Sequence, residues 1–155
     1  MEASYHENYT KQLQRLLNIV AKGRKKYLKA AEQTESDEFR NLFNRYAGER
    51  EDIISELKAA IQKLDGQVNE STEQEAEVQN LNSTKVHSKK DQSILDSLRG
   101  SEQETLDTYD DVLQGSILEE FDLKTLIMGQ RLRVNEAYTE LERRYFELFK
   151  LSQPY

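Results

Sequence analysis

Cysteine and tryptophan are absent from this chain, and proline occurs once. Without cysteine there can be no disulfide, no thiolate metal ligand and no cysteine nucleophile, and the chain suits a reducing compartment. Six glycines are too few for a turn-rich β protein, and none forms a phosphate-cradling loop. The two histidines, His6 and His87, fall in the N-terminal tail and in a polar stretch, where they read as surface residues. No Ser-His-Asp set can be assembled from them, so hydrolase chemistry has no support. No apolar run approaches the roughly 20 residues of a membrane span, and the opening MEASYHENYTKQ lacks the apolar core of a signal peptide. The cytoplasm is the simplest location. Positive charge is also short: 22 Lys and Arg face 29 Asp and Glu, for a net charge of −7. That balance disfavours nucleic acid, because phosphate neutralisation needs a basic face, and Arg24-Lys25-Lys26 and Lys89-Lys90 are too brief to supply one.

What is abundant is charge interleaved with regularly spaced apolar residues, over a length of 155 residues that suits one domain spanning residues 1–155. Tyr9, Leu13, Leu16, Leu17, Val20, Tyr27, Leu28 and Ala31 recur at three- and four-residue steps and predict a helix over about residues 5–32. Thr34 to Asp37 break the pattern with capping residues. A second stripe (Phe39, Leu42, Phe43, Tyr46, Ile53, Leu57, Ile61, Leu64) predicts a helix over about 37–64 that Gly66 caps. Residues from about 66 to 90 turn polar and read as one long crossover, with Glu73, Glu75 and Glu77 as a solvated acidic face. Ile94, Leu95, Leu98, Leu106, Tyr109, Val112 and Leu113 predict a third helix over about 91–114, ended at Gly115. Ser116 and Glu119 form a capping box that predicts the fourth at about 117–150, on Leu123, Leu126, Ile127, Val134, Ala137, Leu141, Tyr145 and Leu148.

Two short links around one long link predict an all-α, up-down-down-up four-helix bundle with a crossover between its second and third helices, as in ferritin-like bundles. The two halves also echo each other. Tyr27 matches Tyr109 at a spacing of about 82 residues, and Phe39, Leu42, Phe43 and Leu57 match Leu123, Leu126, Ile127 and Leu141 at about 84, as a duplicated helical hairpin would.

Three stretches carry a family resemblance: LLNIVAKGRKKYLKAAE, FRNLFNRYAGEREDIISEL and SILDSLRGSEQETLDTYDDVL. They resemble a group of bacterial ferritin-like four-helix proteins classed as a domain of unknown function. The resemblance implies a ferritin-like fold and suggests a role in stress response, as ferritin-like relatives often have.

A ferritin-like di-metal centre needs a Glu from each of two helices and a Glu-x-x-His from each of the other two. Here Glu102 stands seven residues before Tyr109, but Val20 holds the matching place before Tyr27. Glu49 is followed by Asp52 rather than His, and the matching pair in the fourth helix is Arg133 and Glu136. By the resemblance, Tyr138 stands where such families carry a His in the last helix. The ligand set is degenerate and no metal is expected; Glu49, Asp52, Glu102 and Glu136 are the residues that would hold one. Glu49 and Glu102 read instead as core carboxylates neutralised by Arg133 or Arg24, in a polar cluster with Tyr138, since a buried carboxylate without a partner is costly. Tyr27, Tyr46, Tyr109, Tyr138 and Tyr145 read as core residues with hydroxyls at the bundle edge.

No catalytic or cofactor-binding residue is assigned. The leading expectation is a non-catalytic bundle acting by self-association, as in a homodimer, or by binding a protein partner. The alternative is a di-iron or di-manganese carboxylate oxidase or storage protein, against which Arg133 beside the acids would act as a repelling charge. A third reading, a helical regulator or adaptor related only by architecture, would be favoured by absence of the Glu49, Glu102 and Arg133 cluster from the core. Phe121, Phe146, Phe149 and Tyr155, off the four stripes, either extend the core or serve an oligomer interface.

Overall fold

Three residues suffice to turn the first helix back on itself. In the computed structural model, which describes residues 2–64 and 87–152, α1 (Glu2–Gln33) is followed after residues 34–36 by α2 (Asp37–Lys63). Ser36 caps α2: its Oγ accepts the Phe39 N–H at 3.1 Å, and Asp37 and Glu38 sit in the first turn, at the positive end of the helix dipole. Thr34 is buried and donates to Asp91 at 2.7 Å. This bond ties the turn to the start of α3 (His87–Leu113). The third helix therefore opens a turn earlier than its apolar stripe predicts, and His87 is its first residue rather than part of the crossover. The rest of the crossover, Gly66, the Glu73 to Glu77 run and Tyr155 lie outside the described residues.

The link between α3 and α4 (Phe121–Ser152) also differs from expectation. A 3-10 turn, Ser116–Glu119, occupies the expected capping box. Its Ile117 is fully buried in the core, which holds the turn down and delays the helix. Glu120 then caps α4, its Oε1 accepting the backbone N–H of Asp122 at 3.1 Å and of Leu123 at 3.4 Å.

Specific contacts give each pair of helices its register. Thr34 meets Asp91, Tyr27 meets Glu102 and Arg15 meets Asp111, so residue numbers fall along α1 as they rise along α3. Tyr109 with Gln130 and Arg99 with Glu142 set the same opposed sense between α3 and α4. Glu56 with Arg133 and Glu38 with Arg144 set it between α2 and α4.

The all-α core built by the four helices falls into two clusters. One gathers Tyr9 to Val20, Ile53 to Ile61, Leu106 to Val112 and Leu123 to Val134. The other gathers Tyr27 to Ala31, Phe39 to Ala47, Ile94 to Leu98, Ala137 and Leu141. Between them every helix is near its midpoint, and at that level α2 and α3 each turn a charged side chain inward. The echo between halves is visible in burial: Tyr27 and Tyr109, Phe43 and Ile127, Leu57 and Leu141 are all buried.

Candidate functional site

Arg50 is the bulkiest fully buried side chain described. It lies four residues after Tyr46 and three before Ile53, so the helical repeat aims it inward with the apolar stripe of α2. From α3, four residues after Leu98 and four before Leu106, Glu102 is aimed inward in the same way and is 2% exposed. Its Oε2 accepts both from Arg50 Nη2 and from the Tyr27 hydroxyl of α1. The Arg50 guanidinium also lies 5.5 Å from the centre of the Tyr27 ring, within cation-π range.

Electrostatics at this layer follow from the lack of water. Burial pushes the Glu102 carboxyl above its ordinary range, and the Arg50 charge and the Tyr27 hydroxyl oppose that shift only in part. Burial, reinforced by the Glu102 charge, pushes the Tyr27 hydroxyl well above its usual range. The tyrosine is thereby kept as a hydrogen-bond donor. Arg50 Nε and Nη1 have no hydrogen-bond partner among the described residues.

α1 crosses this layer with Gly23, which is buried, and a Cβ placed there would meet nothing within 4 Å. Replacing Gly23 by Ala should therefore stabilise the protein by about 0.5–1 kcal/mol, because alanine loses less backbone entropy in a helix interior. A raised urea midpoint is the expected readout. A lowered one would mean that the added methyl strains the packing of α1 at this level.

A second polar chain leaves the core on the α4 side. The Tyr109 hydroxyl, whose pKa is raised by burial, donates to Gln130 at 2.8 Å. The amide of Gln130, itself fully buried, donates to Glu56 at 3.0 Å, and Arg133 donates to the same Glu56 oxygen at 2.8 Å. Although burial works against it, these hydrogen bonds hold the Glu56 carboxyl below its ordinary range.

Of the five residues expected to form the polar core, Glu49, Glu102, Arg133, Arg24 and Tyr138, only Glu102 is buried. Its cation is Arg50, not Arg133 or Arg24. Arg133 sits at the bundle rim with Glu56, and Arg24, one position past Gly23, faces outward to Glu51 at 2.7 Å. Tyr138 is half-buried and donates to Glu142, which Arg99 also engages. Glu49 is half-buried, and its charge adds slightly to the upward push on Glu102. Residue type alone does not single out Arg50, Gln130 and Glu56, although Arg50 and Gln130 each fill the one polar step in an otherwise apolar stripe.

These residues do not fit a ferritin-type metal pair. Asp52 and Glu136 are exposed, and the inward carboxylate, Glu102, already faces a buried guanidinium whose charge would repel a second cation. Among the described residues no group of three or more His, Cys, Asp or Glu is placed to hold a metal ion. Nor is any helix among them long and apolar enough to cross a membrane.

No curated protein and no solved structure matches the chain. The stretch from residue 8 to residue 115, which carries Tyr27, Arg50 and Glu102 but none of α4, matches the family described as Domain of unknown function (DUF2383), and the chain belongs to that family.

Proposed function

We propose that this protein is a non-catalytic, ferritin-like bundle of a bacterial cytoplasm, arranged up-down-down-up with the segment between α2 and α3 as its crossover. It works through its surface, by self-association or by binding a protein partner, in the setting of a stress response. The opposed senses of α1 with α3, α3 with α4 and α2 with α4 support the arrangement. The bacterial origin and the stress setting rest on the ferritin-like resemblance alone, and the net charge of −7 weighs against nucleic acid as the partner.

One observation carries the non-catalytic reading. At mid-bundle, where a ferritin-like protein gathers metal ligands from facing helices, the positive charge against Glu102 belongs to Arg50, which is 0% exposed. An arginine there is permanently charged and has no open coordination position. The test is elemental analysis of the purified protein after loading with Fe²⁺, Mn²⁺ and Zn²⁺ and desalting. No retained metal is expected. Two tightly held metals per chain would overturn the reading in favour of a di-iron or di-manganese carboxylate protein.

A further inference from the structure

Six large apolar side chains are exposed among the described residues, and five of them, Phe121, Met128, Leu132, Phe146 and Phe149, stand on α4. Their positions are not scattered. Phe121, Thr125, Met128, Leu132, Asn135 and Thr139 are all exposed and follow one another at alternating steps of four and three residues. The next step falls on Glu142, which is half-buried and held by Tyr138 and Arg99, and Phe146 continues the stripe beyond it. That alternation is the 3.5-residue repeat of a coiled-coil seam, on the face of α4 turned away from its own core. We propose that this seam is covered by α4 of a second copy, running antiparallel, so that the protein is a homodimer. The proposal rests on the surface-acting reading above and names its partner.

Three features select a second copy in that orientation. An antiparallel overlap centred between Leu132 and Asn135 sets Phe121 against the partner's Phe146, Met128 against the partner's Thr139, and Leu132 against the partner's Asn135. The large residues at one end of the seam thus meet those at the other, which is the self-complementarity a two-fold interface requires. Asn135, near the centre, is the single amide in the seam, the kind of residue that fixes register in such pairs. Charge favours the same choice. Glu119, Glu120 and Asp122 outnumber Lys124 at the start of α4, while Arg143, Arg144 and Lys150 outnumber Glu147 at its end. Parallel pairing would set the acidic end against its own copy; antiparallel pairing sets it beside the partner's basic end, with the helix dipoles opposed.

Sedimentation equilibrium of the full chain tests the proposal, with twice the 18.1 kDa chain mass as the expected result. Leu132→Glu should raise the dimer dissociation constant on the order of a hundredfold or more, since it places an unpaired charge in the seam. Because Leu132 is 62% exposed, its circular dichroism should stay unchanged. Orientation is read by mixing Phe121→Cys and Phe146→Cys proteins under mild oxidation: cross-links between the two variants are expected. A monomer at all concentrations, a dimer indifferent to Leu132→Glu, or cross-linking of Phe121→Cys chiefly to itself would each overturn the proposal. Such a failure with no metal retained would leave the surface-acting reading standing; retained metal would remove that reading whatever the oligomeric state.

Discussion

Arg50→Met should destabilise the protein by about 3–5 kcal/mol near neutral pH, because it leaves Glu102 buried without its cation. The loss should depend on pH in a definite direction. In the native protein burial already holds the Glu102 carboxyl above the ordinary value of 4.5 despite the opposing pull of Arg50. Removing Arg50 removes that pull and raises the folded-state pKa further. A carboxyl with a raised folded pKa favours folding most fully below its unfolded pKa. The stability of the variant should fall as pH climbs from about 4.5 through the higher folded value. Below that window the protonated Glu102 can donate to the Tyr27 oxygen, and the deficit should shrink to the lost packing of the arginine stem.

The other half of the bundle suggests the rescue. By the internal match, the place of Glu102 in α1 is Val20 and the place of Arg50 in α4 is Val134, both 0% exposed and members of one apolar cluster. One half thus uses a charged pair where the other uses two valines. Replacing Arg50 and Glu102 together by Val should recover part of the loss, since a buried ion pair exchanged for apolar groups is often neutral or stabilising, with the smaller volume and the Tyr27 hydroxyl left without its acceptor setting the remainder. Urea unfolding of the single variants, the double variant and the parent across pH 4–8 checks both statements. If the double variant is no more stable than Arg50→Met, the pair contributes something that apolar packing does not supply.

The four helices are legible because apolar spacing is a dense signal: each stripe repeats its message eight times or so, and one misread residue does not move a helix. Thr34, Ser36 and Asp37 marked the first turn through their capping chemistry, and Ser36 performs it. The 3-10 turn was not legible, since Ser116 and Glu119 have the spacing of a capping box and only the burial of Ile117 decides against it. For the polar layer the difficulty was choosing among adjacent charges. Glu49 and Arg50 are neighbours in the gap between Tyr46 and Ile53, and a one-residue step on a helix turns a side chain by about 100°. Arg50 continues the rhythm from both sides and points inward; Glu49 lies at the flank. Glu102 has no charged neighbour competing for its inward place. Arg133 and Arg24 carry the sign a partner of Glu102 needs, but each adjoins the stripe position rather than occupying it, beside Val134 and Gly23.

Phe43→Ala should be the other severe substitution, costing about 3–5 kcal/mol, whereas Phe121→Ala should stay within about 0.5 kcal/mol in the monomeric state. Phe43 is 0% exposed and Phe121 is 74% exposed, so the same change of atoms opens a cavity in one place and removes a solvated ring in the other. Phe43 has a second consequence. Its ring lies 6.4 Å from that of Tyr27 and 5.8 Å from that of Phe39, and with Tyr46, 5.5 Å from Tyr27, it fixes the tyrosine that donates to Glu102. Loss of Phe43 loosens that hydroxyl, so Phe43→Ala and Arg50→Met act on one shared group and their costs should not add. A double-mutant cycle by urea unfolding should give a coupling of roughly 0.5–3 kcal/mol. Strict additivity would mean that the aromatic cluster and the charged layer are independent, and that Tyr27 is held by its hydrogen bond to Glu102 rather than by its aromatic neighbours.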